Sequence, residues 1–103
     1  MLKKTYSKTG NSCRVTFKFD PESLSTESET SEVAVLGEWN SWDLDNGRMT
    51  RRKDGSFSKT VSLDAKQEYR FRYLVDGETW LNDEEADSLV PNRFGSQDGV
   101  LAL

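Results

Sequence analysis

The residues best suited to chemistry in this sequence are tryptophans, and the chemistry they suit is stacking. Trp39 and Trp42 stand in Gly37-Glu38-Trp39-Asn40-Ser41-Trp42, just past an apolar run, and Trp80 stands just past Asp76-Gly77. An indole in a loop or at a strand end either plugs the end of a β-sandwich or offers a flat face to a ligand. Two of them in different loops make a platform only if they meet in space. Arg72 falls between Phe71 and Tyr73 in an alternating run, so it faces solvent if those two face a core. There it can donate to ligand hydroxyls.

Bond-breaking chemistry finds less support. The chain has no histidine, which removes the commonest general base and neutral metal ligand, and its one cysteine, Cys13, can form neither an internal disulfide nor a zinc site. Glycoside hydrolysis needs two carboxyls flanking a bond, roughly 5–9.5 Å apart. Asp43, Asp45, Asp76, Glu78, Asp83, Glu84, Glu85 and Asp87 lie mostly in polar turns, where nothing desolvates one of them to raise its pKa. Asp54 and Asp76 precede glycines and read as turn residues. Asp83, Glu84, Glu85 and Asp87 lack the regular oxygen spacing of a calcium loop and read as a solvated acidic loop. The expectation is no catalysis, no metal and no cofactor.

Partners are narrowed by charge. The formal net charge is −4 and the isoelectric point about 4.8, a poor balance for displacing counterions from nucleic acid. No stretch approaches the ~20 apolar residues of a membrane span. Met1-Leu2-Lys3-Lys4 is not followed by the apolar run of a signal peptide. The default location is a reducing cytoplasm, with Cys13 an ordinary small residue near a strand.

Positioning these side chains falls to strands. The 103 residues make one domain with a thin core, since 34% are hydrophobic. Val15, Phe17 and Phe19 alternate with polar residues, and Tyr69, Phe71, Tyr73 and Val75 alternate with Arg70, Arg72 and Leu74. Glu32–Gly37 reads as a buried strand and Val100–Leu103 as a short terminal one. Asp54-Gly55 and Asp76-Gly77 signal hairpins. Residues 20–31 read as a flexible polar loop, and Gly37–Gly47 and Asn82–Gly99 as long loops. Six to eight short strands of this kind imply an all-β antiparallel sandwich. Charge is blocked along the chain: residues 1–19 hold five basic residues and no acid, whereas residues 75–103 hold seven acids against Arg93. Blocks of this kind are solvated faces, strands of opposite sign meeting across a sheet, or a partner surface.

Three motifs in order, VAVLGEWNSWD, an Arg-Arg-Lys-Asp-Gly hairpin followed by Phe57, and YRFRYLVDGETWLND, resemble the glycogen- and starch-binding modules of carbohydrate-binding module family 48. The resemblance covers about residues 33–103. Members are immunoglobulin-like "early set" sandwiches, the isoamylase N-terminal type. They are found beside the barrels of glycogen branching and debranching enzymes of the glycoside hydrolase family 13 type, and in β-subunits of AMP-activated protein kinase. The resemblance implies binding of α-glucan, with Trp42 and Trp80 as stacking platforms, Arg72 as hydroxyl donor, and Phe94, Ser96 and Asp98 from the late loop. It matches Asp83 to a further site aspartate, Asn40 to a turn residue and Trp39 to a core position. Asp98 stands where the family has Asn, and a carboxylate accepts without donating. An open site of this kind implies a Kd of roughly micromolar to millimolar. The alternative is an early-set domain that has lost the sugar and docks on a protein through its charge blocks or an unpaired edge strand.

Overall fold

Alternation in one strand sets the architecture. The computed structural model describes residues 2–20, 32–77, 79–83, 85–92 and 95–103. In it, β6 (Glu68–Val75) buries Phe71, Tyr73 and Val75 in the main core and turns Arg70 and Arg72 away from it. The other strands are β1 (Leu2–Tyr6), β2 (Ser12–Phe19), β3 (Val33–Gly37), β4 (Thr50–Arg51), β5 (Phe57–Asp64), β7 (Thr79–Leu81), β8 (Ser88–Pro91) and β9 (Gln97–Ala102). A short helix, α1 (Leu44–Gly47), follows a single 3-10 turn at Glu38–Asn40. The architecture is an all-β, immunoglobulin-like sandwich of two antiparallel sheets. One sheet runs β1-β2-β5-β4 and the other β3-β6-β9-β8, with β7 also on β6. The polar loop expected over residues 20–31 falls, beyond Asp20, outside the described residues.

The core lies between the inward faces of the two sheets. Cys13, Val15, Phe17 and Phe19 of β2 meet Val33 and Val35 of β3 and Phe71, Tyr73 and Val75 of β6. Aromatic contacts tie the layers together: Phe17 meets Phe71 with ring centroids 5.4 Å apart, and Phe19 meets Tyr73 at 5.3 Å. Trp39 stacks on Phe17 at 5.3 Å and 17°. It therefore serves the core, closing one end of the sandwich over the bare backbone of Gly37. A Cβ on Gly37 would come within 2.5 Å of the Trp39 ring.

Two strands were not apparent in the hydrophobic pattern. β1 (LKKTY) pairs in register with β2, from Leu2 opposite Phe17 to Tyr6 opposite Cys13. Its lysines conceal it, and such charge is common on edge strands, where it discourages pairing with another chain. β8 pairs with β9 inside the segment expected to be a loop. The first hairpin also departs from the two-residue form. Thr50 pairs with Ser58 and Arg51 with Phe57. The Gly55 amide donates to the Arg52 carbonyl, and Gly55 takes φ +87°. This is a three-residue loop ending in a glycine bulge. Asp54 shapes it by accepting from the amide and hydroxyl of Ser56. At the second hairpin, Asp76 and Gly77 both take positive φ and bring Val75 opposite Thr79.

The charge blocks meet in part. Lys4 of β1 reaches Asp87 at 2.8 Å and the Ala102 carbonyl, joining the basic start of the chain to its acidic end.

Candidate functional site

The outer face of the β3-β6-β9-β8 sheet carries the site. β6 pairs with β9 through Glu68–Phe71 and with β7 through Tyr73–Val75. Arg72 sits at the seam between these partners, with Leu36 opposite on its other side. Arg70 and Arg72, two residues apart, share one face. Further along that face, Ala34, Leu36 and Leu74 form a small apolar cluster of their own, against which Trp42 and Leu44 pack.

Trp42 is held there by a strained turn. Ser41 and Trp42 take φ of +54° and +59°, a region that bulky side chains rarely adopt. Asn40 stabilises the turn. Its Oδ1 accepts from the amides of Gly37 and Trp42 at 3.0 and 3.1 Å, and its Nδ2 donates to the Val35 carbonyl at 3.2 Å. Trp80 reaches the same place from β7, where it stands opposite Leu74. The two indoles meet edge-on, with ring centroids 6.4 Å apart and planes at 64°.

Together they border an open groove of about 830 Å³ lined by Glu38, Trp42, Arg70, Arg72, Trp80, Pro91, Asn92 and Asp98. Trp42, Arg72, Trp80 and Asp98, four of the residues selected from sequence, thus share one groove. Ser96 lines an adjoining hollow with Asn82, Pro91, Asn92, Gly95 and Gln97. Phe94 lies outside the described residues, as do Glu78 and Glu84. Asp83 lies apart from the groove lining. It is buried, and its carboxylate accepts from the Tyr73 hydroxyl and the Glu85 amide. Burial, then the bond to Asp83, pushes the Tyr73 hydroxyl well above its usual range, so it remains a neutral donor.

Arg72 departs from the open solvent position expected of it. Its guanidinium lies over the Trp80 ring, 5.3 Å from the centroid, a cation–π contact. Its Nε is buried without a hydrogen-bond partner. Arg72 therefore supports Trp80 as well as facing the groove. The sequence pattern does not single out Glu38, Arg70, Pro91 or Asn92. Arg70 carried the same signal as Arg72, its parity with Phe71. Asn92 carried none, because its strand was hidden in an apparent loop. Glu38 accepts from the backbone amide of Arg70 at 2.7 Å, which fixes β6 against the 3-10 turn. Asn92 donates to Asp98 at 3.1 Å. Among the described residues no cluster of three or more His, Cys, Asp or Glu is placed to hold a metal ion. No helix among them is long and apolar enough to cross a membrane.

Comparison with protein families identifies the groove's setting. Residues 21–97 match the family described as the glycogen recognition site of AMP-activated protein kinase. The chain belongs to this family. Its members are carbohydrate-binding modules, so the sandwich is a module of the glycogen-recognition type. The same architecture occurs in the crystal structure of the enterobactin esterase from Shigella flexneri, with a TM-score of 0.72 at 13% identity. That likeness covers 99% of this chain and 32% of the esterase, and at such low identity it concerns the fold alone. A comparison with curated proteins finds no match.

Proposed function

We propose that the domain is a non-catalytic binding module for α-glucans such as glycogen, starch and maltodextrin, with Trp42 and Trp80 as its stacking surfaces. The observation that carries this reading is the convergence of the two indoles on one open groove that Arg70 and Arg72 also line. The C–H faces of a pyranose suit the negative face of an aromatic ring, and its hydroxyls suit the donors and acceptors alongside. The 64° between the indole planes favours a chain whose successive rings turn relative to one another. An α-1,4-linked glucan coils in this way, whereas a β-1,4-linked ribbon presents its rings nearly coplanar.

The groove's carboxylates are engaged in holding structure rather than arranged as an acid–base pair. Glu38 accepts from Arg70's amide and Asp98 from Asn92. An open groove with few polar groups supports weak binding, with Kd in roughly the micromolar to millimolar range. The family's description as a glycogen recognition site supports the glucan assignment. We place the module in the cytoplasm, where Cys13 stays a thiol.

The test is titration with maltoheptaose, followed by tryptophan fluorescence or amide chemical shifts. Saturable change is expected, absent in a Trp42→Ala/Trp80→Ala double variant and absent with cello-oligosaccharides of the same length. No response at millimolar maltoheptaose, or full binding by the double variant, refutes the reading.

A second reading has one observation behind it. The exposed face of the β1-β2-β5-β4 sheet carries Lys3 and Arg14, with Thr16 hydrogen-bonded to Thr60 between the strands. A protein-docking early-set domain would use that face, and its partner would bind equally with and without sugar.

A further inference from the structure

Arg72 is partly occupied by Trp80, and the groove holds a second guanidinium. We propose that Arg70, acting with Asp98, is a specificity-determining residue that reads one hydroxyl group of the bound sugar. The proposal rests on the glucan-binding reading above.

Arg70 projects from β6 on the same face as Arg72 and is about half exposed (48%). Its backbone amide is pinned by Glu38, so the base of the side chain is fixed. Asp98 comes from the neighbouring strand β9. Its residue is buried, yet it lines the groove. Oδ1 of Asp98 accepts from the side-chain Nδ2 of Asn92 at 3.1 Å. Asn92 is itself held through its Oδ1 by the Ser96 amide at 3.2 Å. The carboxylate is thereby oriented from behind, and Ser96 acts on the groove through Asn92.

The remaining oxygen, Oδ2, stands 4.0 Å from a terminal nitrogen of Arg70. That gap is too long for a direct hydrogen bond, and one bridging oxygen can span it. A hydroxyl sits about 2.9 Å from an N–H donor and about 2.7 Å from a carboxylate oxygen when it bonds to both. Among the oxygens of a sugar, only a hydroxyl can accept from Arg70 and donate to Asp98 at once. An ether oxygen, whether of the ring, the glycosidic link or a methylated sugar, would accept from Arg70 and leave the carboxylate oxygen unpaired. A carboxylate so placed, without a partner, disfavours the wrong ligand more than the pair favours the right one. This assigns a use to the carboxylate at position 98. Paired with Arg70 it presents a matched donor and acceptor, where an amide would present both alone.

The experiment is a maltoheptaose titration of four proteins: wild type, Arg70→Gln, Asp98→Asn and the double variant. Each is first checked for folding by its amide spectrum. Each single change is expected to weaken binding about tenfold, the scale of one hydrogen bond to a charged group. The double variant should be no more than slightly weaker than the worse single variant, because both side chains serve the same hydroxyl. Arg70→Lys, which keeps a charged donor, should recover most of the loss. Wild-type affinity in Arg70→Gln, or losses that multiply to about a hundredfold in the double variant, overturns the proposal. If wild type binds through its tryptophans and Arg70→Gln is unchanged, only this proposal fails. If wild type does not respond to maltoheptaose, the glucan-binding reading fails and this one with it.

Discussion

Trp80 meets Trp42 edge-on at 64°, and the two indoles rest on different supports. Trp80 remains 42% exposed with Arg72 laid over it, whereas Trp42 packs against Ala34, Leu36 and Leu74. If both indoles stack on sugar as proposed, they therefore differ in how far binding and stability are linked.

Single substitutions should separate them. Trp80→Ala is expected to abolish most sugar binding while changing stability by no more than about 0.5–1 kcal/mol, as for an exposed side chain. Trp42→Ala is expected to lose binding and also about 2 kcal/mol of stability, since it uncovers an apolar cluster on the sheet. Thermal or urea melts run beside maltoheptaose titrations decide this. Equal stability losses in the two variants would show that the supports do not differ.

Asn40 gives a second expectation. Its side chain makes three hydrogen bonds around a turn with two consecutive left-handed residues. Asn40→Ala removes all three while leaving the strain in Ser41 and Trp42. A loss of about 2–3 kcal/mol is expected, with weaker sugar binding because Trp42 is no longer fixed. A denaturant melt and one titration test both parts. Unchanged binding in a destabilised variant would show that Trp42 keeps its place without Asn40.

The sequence made some of this arrangement legible and concealed the rest, for reasons that differ by residue. Period-two alternation around Phe71 and Tyr73 revealed β6, and with it the outward face of Arg72. Asp-Gly spacing located the hairpin that carries Trp80, and the family resemblance marked Asn40 as a turn residue beside Trp42. Alternation could not rank Arg70 against Arg72, because parity is the same for both. What separates them is the seam in the sheet and the ring of Trp80, both products of tertiary pairing. β8 escaped because SLVP is short, ends in proline and sits among acids, so local propensity resembles that of a loop. Asp83 escaped for a related reason: an offset from Trp80 gives no direction, and the chain turns this carboxylate under Tyr73 instead of into the groove.

The Tyr73–Asp83 contact itself yields a third expectation. Tyr73→Phe removes the hydroxyl, and with it the hydrogen bond that it donates to the buried Asp83 carboxylate. The cost should be about 1–3 kcal/mol, although only one oxygen atom is lost. Asp83→Asn should cost less, because an amide can still meet the hydroxyl. Urea unfolding of the two variants tests the ranking, and a Tyr73→Phe protein as stable as wild type would contradict it.

Asp87 supplies the dependence on pH. Burial alone would raise its pKa, but the hydrogen bond from Lys4, the Ala102 amide and the Lys4 charge together outweigh burial and hold the carboxyl below its usual 3.8. A carboxylate with a depressed folded-state pKa stabilises the fold at any pH above its unfolded value, and that contribution disappears as the pH falls through the folded value. Asp87→Asn should therefore melt below wild type at neutral pH, and the difference should shrink as the pH drops below about 4. Lys4→Ala should behave alike, since the same contact joins β1 to the end of the chain. The measurement is a series of thermal melts of the three proteins from neutral pH to about pH 2.5, in low salt so that the partly exposed pair is not screened. A wild-type advantage that persists undiminished at the acid end would mean that the Asp87 charge does not hold the N-terminal strand in place.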